Sequence, residues 1–322
     1  MLTDPDFLIR RRDLDYVGNP DVSLRRALAR GGLVRVAAGT YADSTTWNNL
    51  EPIEKHRAKV FATAGRLQSS PVFSHFAAAA IWGIRMLGAW PTLIDVTLER
   101  TTGGRSDGAL RRHCTGLSSI DVVERDGLLV TSPEQTVVDL ARILPFPNAV
   151  VAMDSALWRR RIPQPLAIEL ELARVVDAAT GRKGYRAALA ASRFATGLSD
   201  SPEESHSRVQ LQLLGFPAPK LQHRFILANG RSAEVDFYWE QLKHVGECDG
   251  KAKYRDPKIL QGRSGEDVLF AEKDRENEVR RQVRQFSRWE PKELYPPVQL
   301  YDRLVRDGLP SSKPRPRGYQ HH

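Results

Sequence analysis

The sequence predicts an α/β protein assembled from several α+β modules, and three observations carry that prediction. Val235, Phe237 and Trp239 alternate with Glu234, Asp236 and Tyr238, a period of two that reads as a strand with one apolar and one polar face. Over residues 51–161, helical stretches with recognisable starts alternate with short strand-like runs. The chain has 322 residues, 41% of them hydrophobic, which is enough to bury the cores of two or three domains.

The first module, residues 1–50, is short. Ser23 can cap a helix running from Leu24 to Arg30, and Gly31-Gly32 ends it. Leu33–Val36 and Gly39–Tyr41 then read as two small strands around a turn. A basic helix followed by a β-hairpin is the plan of a winged helix-turn-helix. In that plan Arg25, Arg26 and Arg30 face DNA and Arg35 sits on the wing. The same residues also suit a helix that simply solvates one face.

Residues 51–161 read as an α/β unit. Ile53–Leu67 has a helical pattern, and the alanines Ala77–Ala80 let a second helix pack closely on a sheet. Leu93–Leu98, Val122-Val123 and Leu128–Val130 are strand-like. Ser132-Pro133-Glu134-Gln135 is a capping box with proline at the first helical position, and the helix it opens stops at Pro145-Phe146-Pro147. His75, Asp139 and Asp154 read as polar anchors rather than catalytic groups, and His113 and Cys114 form no metal site with anything nearby in sequence. Arg159-Arg160-Arg161 followed by Pro163-Gln164-Pro165 marks a boundary, and residues 162–200 read as a helical connector.

The last ordered module spans residues 201–308. Ser201 opens a helix, and Glu204, three residues on, completes a capping box. Asn229-Gly230 between extended runs signals a hairpin into the Asp236 strand. The next turn, Glu240-Gln241-Leu242, returns the chain through Lys243–Cys248, so Asp236 comes close to Glu247 and Asp249, with Lys251 just beyond. Carboxylates in close quarters repel unless a cation neutralises them, and the cluster suggests a divalent-metal site. A glycine-bearing loop, Gly262–Gly265, leads to a long helix of mixed charge. The tail, residues 309–322, is rich in Pro, Lys, Arg and Ser and is expected to be disordered.

The formal net charge of +9 favours a polyanionic partner, most often nucleic acid. Two distant cysteines, Cys114 and Cys248, give neither a zinc site nor a disulfide framework. No stretch suits a signal peptide or a bilayer span, so a cytoplasmic protein without a membrane partner is expected.

Two stretches resemble known families. LRRALARGGLVRVAAGTYA resembles the N-terminal domain of AbiEi-type antitoxins, which repress their own operons. The ordered strings SHFAAAAIWGI, RRHCTGL, LLVTSPEQTVVDLAR and AVVAMDSALW resemble the C-terminal portion of the same family. The string VDFYW…GECDGKAKY is similar to the PD-(D/E)XK nuclease core, in particular to restriction-endonuclease-like domains related to very-short-patch-repair nucleases. This second resemblance implies that Asp236 holds Mg²⁺ or Mn²⁺ and that Glu247 or Asp249 is the second ligand. A lysine would orient the attacking water, Lys251 with Lys253 as its substitute. If Glu247 is the second acid, Asp249 stands where the lysine should be. Related nucleases also carry an acid on the opening helix, which makes Glu204 a site candidate beside its capping role. The EKDREN stretch and Arg288-Trp289 match this family too, making Arg275 the expected phosphate contact.

Together these imply a DNA-binding protein with a metal-dependent endonuclease site. The alternative is a non-enzymatic AbiEi-like antitoxin or transcriptional repressor, working within a nucleotidyltransferase-type toxin system. RNA is a further possible target of so basic a chain.

Overall fold

A computed structural model describes residues 5–14, 20–67, 70–99, 108–118, 120–160, 164–248 and 265–317. The chain divides into two compact units, Met1–Leu157 with Pro165–Phe194, and Trp158–Gln164 with Ala195–His322. Asp249, Lys251 and Lys253 lie outside the described residues.

The first unit opens with β1 (Ile9–Arg10), a 3-10 turn at Arg11–Asp13, and α1 (Pro20–Ala29). Gly31, at φ +71°, ends α1 in a conformation that costs glycine nothing. β2 (Leu33–Ala37) and β3 (Thr40–Asp43) follow, joined through Gly39 at φ +69°, and the three strands form an antiparallel sheet in the order β1-β3-β2. Asp43 caps α2 (Ser44–Asn49) by accepting the Thr46 N–H. Glu51 and Glu54 cap α3 (Pro52–Ala64) reciprocally.

A mixed five-stranded sheet then forms from β4 (Val72–Phe73), β5 (Ile94–Thr97), β6 (Leu110–His113), β7 (Val122–Arg125) and β8 (Leu128–Thr131), ordered β6-β5-β4-β8-β7. α4 (His75–Trp82) follows β4, and its alanines Ala77–Ala80 are buried. α5 (Pro133–Ala141), α6 (Phe146–Leu157), α7 (Glu169–Ala178) and α8 (Tyr185–Phe194) complete the unit, with Ser132 capping α5 as expected. One core joins both sheets: Val36 and Ala42 pack with Phe61, Phe73, Ile81, Val96 and Val130. The residues read above as a separate N-terminal module thus share their interior with the segment that follows.

The second unit runs α9 (Pro202–Leu213), β9 (Lys220–Ile226), β10 (Ser232–Trp239), β11 (His244–Cys248), α10 (Gly265–Arg280), β12 (Gln285–Trp289) and α11 (Val298–Arg306). Its sheet has the order β12-β11-β10-β9. Successive pairs from β9 to β11 are antiparallel, whereas β12 lies parallel to β11. A parallel partner requires a crossover, and α10 lies within it. The expected hairpin forms at Asn229-Gly230, with Gly230 at φ +77° and the Asn229 side chain accepting the Arg231 N–H.

β10 keeps the expected alternation from Ser232 to Phe237, with Glu234 exposed, Asp236 half-buried and Val235 and Phe237 buried, and departs from it at Tyr238, which is buried as well. Phe237 and Trp239 pack with Cys248, Trp289, Leu211 of α9 and Leu300 and Leu304 of α11. Val235 and Tyr238 pack instead with Val245 and Val279 of α10. The sheet is therefore covered on both faces at the Phe237–Trp239 end of β10, where the strand is buried throughout. The β9–β10 register also skips Asp236 and Gln222, and Gln222 sits at φ +53°. Such a kink re-aims the side chains on either side of it.

The tail is more ordered than its composition suggested. Leu309 is buried, Ser312 donates its N–H to the Gly215 carbonyl, and Arg315 grips Asp302 through two hydrogen bonds of 2.6 and 2.7 Å. Ser311 and Lys313 donate to the carbonyls of Leu214 and Leu213, groups that the end of α9 leaves without helical partners. Hydrogen-bond demand at a helix end, rather than apolar burial, pins residues 311–315.

Gly246 tests this packing. A methyl group there would lie 2.7 and 2.9 Å from Trp289 ring carbons and 3.0 Å from Trp239. Gly246→Ala should destabilise the second unit by about 1–3 kcal/mol, the usual cost of overpacking, read as a lower denaturation midpoint by tryptophan fluorescence. An unchanged midpoint would show that the indoles yield.

Candidate functional site

Asp236 and Glu247 occupy the two central strands of the second unit. The β10–β11 ladder runs from Trp239–His244 to Phe237–Gly246, and Asp236 and Glu247 are the residues that follow its last rung. Asp236 Oδ2 accepts the Cys248 N–H at 3.0 Å. The buried Cys248 thiol is pushed up to about 12, first by burial and further by the charges of Asp236, Glu203 and Glu204, against a hydrogen bond with Ser207. The thiol stays protonated and is no nucleophile. Its surroundings show that the strand carboxylate and the first turn of α9 act on one spot.

Glu204 is buried and fully engaged. Its Oε2 accepts the Asp200 N–H at 2.9 Å and the Gln222 amide at 2.7 Å, while its Oε1 accepts the Ser201 hydroxyl at 3.0 Å. Ser201 Oγ in turn accepts the Glu204 N–H. The cap is real, and through Gln222 it also reaches the kink opposite Asp236. Arg160 forms ion pairs with both Asp200 and Glu234, which ties the loop before α9 to β10. Trp158 donates its indole N–H to Asp200 at 2.9 Å.

Glu247 is held by two guanidiniums. Arg275 of α10 donates to Oε1 at 3.0 Å and Arg288 of β12 donates to Oε2 at 2.7 Å. Arg288 also pairs with Glu276 at 3.0 Å, and Arg275 donates to the Glu234 carbonyl at 2.9 Å. Both oxygens of Glu247 thus carry charge-assisted hydrogen bonds, an arrangement suited to an ion-pair network and not to a metal ligand. Asp236 keeps the hard oxygen chemistry a divalent cation requires. Among the described residues, no three His, Cys, Asp or Glu side chains gather as a metal site.

Of the expected DNA-facing residues, Arg25, Arg26, Arg30 and Arg35 are all exposed on α1, at its end, or on β2. They belong to the first unit, and Arg275 to the second. Sequence reasoning missed Arg160, Gln222 and Arg288 as parts of the site. The triple arginine and the Arg288-Trp289 pair were visible, but nothing local marked which carboxylates they would meet.

The first unit holds a polar cluster that sequence spacing had not joined. His113 Nε2 lies 2.7 Å from Asp95 Oδ1, and Asp95 is fully buried on β5. His113 stacks on His75 with ring centroids 3.7 Å apart. His75 Nδ1 is 3.0 Å from Ser74 Oγ, which also accepts the Thr97 hydroxyl. His75 sits at φ +48°, a conformation unusual for a residue other than glycine. Asp139, its pKa raised chiefly by burial, is paired with Arg142 at 3.1 Å.

The fold and these contacts define a two-unit mixed α/β protein with a carboxylate–arginine network on the central strands of its second sheet. No family model matches the chain. It is 30% identical over 226 residues to the uncharacterized proteins Rv2248 and MT2308 of two Mycobacterium tuberculosis strains, covering 68% of this chain and 74% of each relative. The chain belongs to the same family as these two mycobacterial proteins. The crystal structure of the RV2827C protein from Mycobacterium tuberculosis aligns with 63% of this chain and 76% of its own, at 16% identity and a TM-score of 0.36. Among the described residues, no helix is long and apolar enough to cross a membrane.

The buried histidines predict how stability follows pH. Burial lowers His75 to about 3 and His56 to about 4, against about 6.5 in an unfolded chain. As pH falls below 6.5 the unfolded chain takes up protons that the folded unit refuses, so stability is lost between 6.5 and 4. Each histidine contributes a slope of up to about 1.4 kcal/mol per pH unit. Asp139, with its raised pKa, works in the opposite sense. His75→Asn keeps a residue tolerant of positive φ and removes one titrating ring. Its unfolding free energy should fall less steeply than the wild type's between about pH 6 and pH 4.5; equal slopes would mean His75 is protonated in the fold.

Proposed function

We propose that the chain is a DNA-binding protein whose second unit is a restriction-endonuclease-like phosphodiesterase module of the PD-(D/E)XK kind. The observation that carries this reading is that acids stand on the elements expected of such a core. Glu204 is on the opening helix, Asp236 on a central strand, and Glu247 on the strand paired with it. The exposed Arg25, Arg26, Arg30 and Arg35 of the first unit supply cations to a DNA backbone in a winged-helix manner.

Within this reading Asp236 would hold Mg²⁺ or Mn²⁺ together with Asp249 as the second acid, and Lys251, backed by Lys253, would orient the attacking water; the last three lie outside the described residues. When bound, the metal supplies Lewis-acid polarisation of the phosphodiester and a water of lowered pKa. Glu247 keeps Arg275 and Arg288 beside the site as its cationic wall, which supports the register in which Asp249 and Lys251 are the acid and the lysine. Glu204 braces Gln222 behind Asp236 and keeps the kinked strand in position.

A second reading has its own observation. Glu247 is saturated by two arginines, as a nuclease core that has given up catalysis would tolerate. The protein would then be an AbiEi-like antitoxin or transcriptional repressor whose nuclease-like unit binds DNA or a partner without cutting, with a nucleotidyltransferase-type toxin as that partner.

Incubating supercoiled plasmid and short duplexes with the purified chain and Mg²⁺ or Mn²⁺, beside Asp236→Ala, separates the two. The nuclease reading expects nicking that falls by roughly 100-fold or more in the variant, the scale of losing a preorganised electrostatic partner. Tight duplex binding with no cleavage would transfer the conclusion to the repressor. Equal cleavage by both proteins would exclude Asp236.

A further inference from the structure

Several cations of the first unit are neutralised within it. Arg11 pairs with Asp21, Arg57 with Asp126, Arg142 with Asp139, and Arg174 with Asp121 and Glu171. Lys183, Arg186 and Arg193 are not. All three are exposed, and among the described residues no carboxylate or other partner engages their charged ends. α8 itself contains no acid, and Asp177 of α7, the acid nearest to Lys183 in sequence, pairs with none of the three.

Helical spacing puts these charges on one face. Residues three or four apart share a side of a helix, and the exposed positions of α8 are Arg186, Ala187, Ala190 and Arg193. Arg186 and Arg193 stand about 10 Å apart along the axis, and Lys183 precedes them in the loop before the helix. The fold fixes this face from behind. Ala188 and Ala191 are fully buried, and Phe194 meets Phe146 of α6 with ring centroids 5.6 Å apart. Arg142, just after α5, donates from Nε to the Lys183 carbonyl at 2.9 Å. A β-carbon at Gly184, which sits at φ +81°, would lie 2.1 Å from the Arg142 carbonyl oxygen, so glycine alone lets the loop pack this closely.

The composition of the face decides what it fits. Protein partners are held chiefly by aromatic and large apolar anchors, and the exposed positions of α8 offer only alanine between the cations. Unpaired guanidiniums bind phosphate oxygens strongly. A helix without Asn, Gln, Asp or Glu lacks most of the side chains that read base edges, which leaves backbone contact, made by Arg and Lys whatever the sequence.

We propose that the Lys183–Arg186–Arg193 face of α8 is a second contact with duplex DNA, a clamp on the phosphate backbone that adds affinity without selecting sequence. This rests on the DNA-binding reading above. The test is fluorescence anisotropy of the full chain with two labelled short duplexes of unrelated sequence, across about 50 to 300 mM salt. The combined Lys183→Ala/Arg186→Ala/Arg193→Ala variant changes exposed side chains only, and its melting temperature checks that the unit is intact.

The triple variant should bind both duplexes more weakly by a similar factor, about 10-fold or more at low salt, and its slope of log affinity against log salt should fall by about 2 to 3, roughly one per lost phosphate contact. Arg186→Lys/Arg193→Lys should keep most of the slope, because the charges remain. Unchanged affinity and slope in the triple variant, with binding lost in Arg25→Ala/Arg26→Ala, would overturn the clamp and leave the DNA-binding reading standing. A wild-type chain that binds neither duplex would sink both. A loss confined to one of the two sequences would overturn the assignment to the backbone. Displacement of the duplex by polyglutamate, as effective as by unlabelled duplex at equal charge, would assign the face to an acidic polypeptide instead.

Discussion

A buried carboxylate is costly unless it is paired and hydrogen-bonded, and Glu247 is buried on a central strand of the second sheet. Two elements of the second unit meet that demand. β12 joins the sheet parallel to β11, and its Arg288 stands on the rung of Glu247. That parallel pairing needs a crossover, and α10 within the crossover brings Arg275 to the other oxygen of Glu247. The topology that closes the sheet therefore also delivers both cations. Asp236 is handled differently: it accepts a backbone N–H from the neighbouring strand, and the kink at Gln222 turns it away from regular pairing.

The first unit buries polar groups of its own. Asp95, Ser74 and Thr97 are buried on or beside the five-stranded sheet, where an unpaired polar group loses its hydration without return. Thr97 and His75 meet Ser74, and Asp95 Oδ1 meets His113. The positive φ of His75 costs on the order of 1 kcal/mol. It persists because the ring is fixed from both sides, by Ser74 and by His113. A single core spanning both sheets then makes the small N-terminal sheet and its arginines a rigid part of a larger body.

What was legible in the sequence was local. Asn229-Gly230, the Ser132 cap and the glycine stop after α1 each announce themselves within a few residues, because turn and cap chemistry is decided by immediate neighbours. The pairing of the strands that carry Asp236 and Glu247 was also legible, since one short turn separates them. Arg160 meets Glu234 from 74 residues away, and Arg288 meets Glu247 from 41. No periodicity encodes such pairings, which follow only once sheet order and crossover are known. The same holds for His113 and Asp95, brought together by β5 and β6. The alternation read along β10 holds from Ser232 to Phe237, and only the burial of Tyr238 on the second face, under α10, was not legible locally.

The arginines on Glu247 bear most directly on how the second unit works. For Glu247 to ligate a cation it would have to release two charge-assisted hydrogen bonds, each worth about 1.5–3 kcal/mol. Arg275 and Arg288 would then face that cation at close range. In the nuclease reading we propose, a metal held by Asp236 and the acid two residues beyond Glu247 would leave those hydrogen bonds in place. On that reading the ion-pair network favours the Asp249–Lys251 register over the Glu247 register, so that a test of activity is also a test of register.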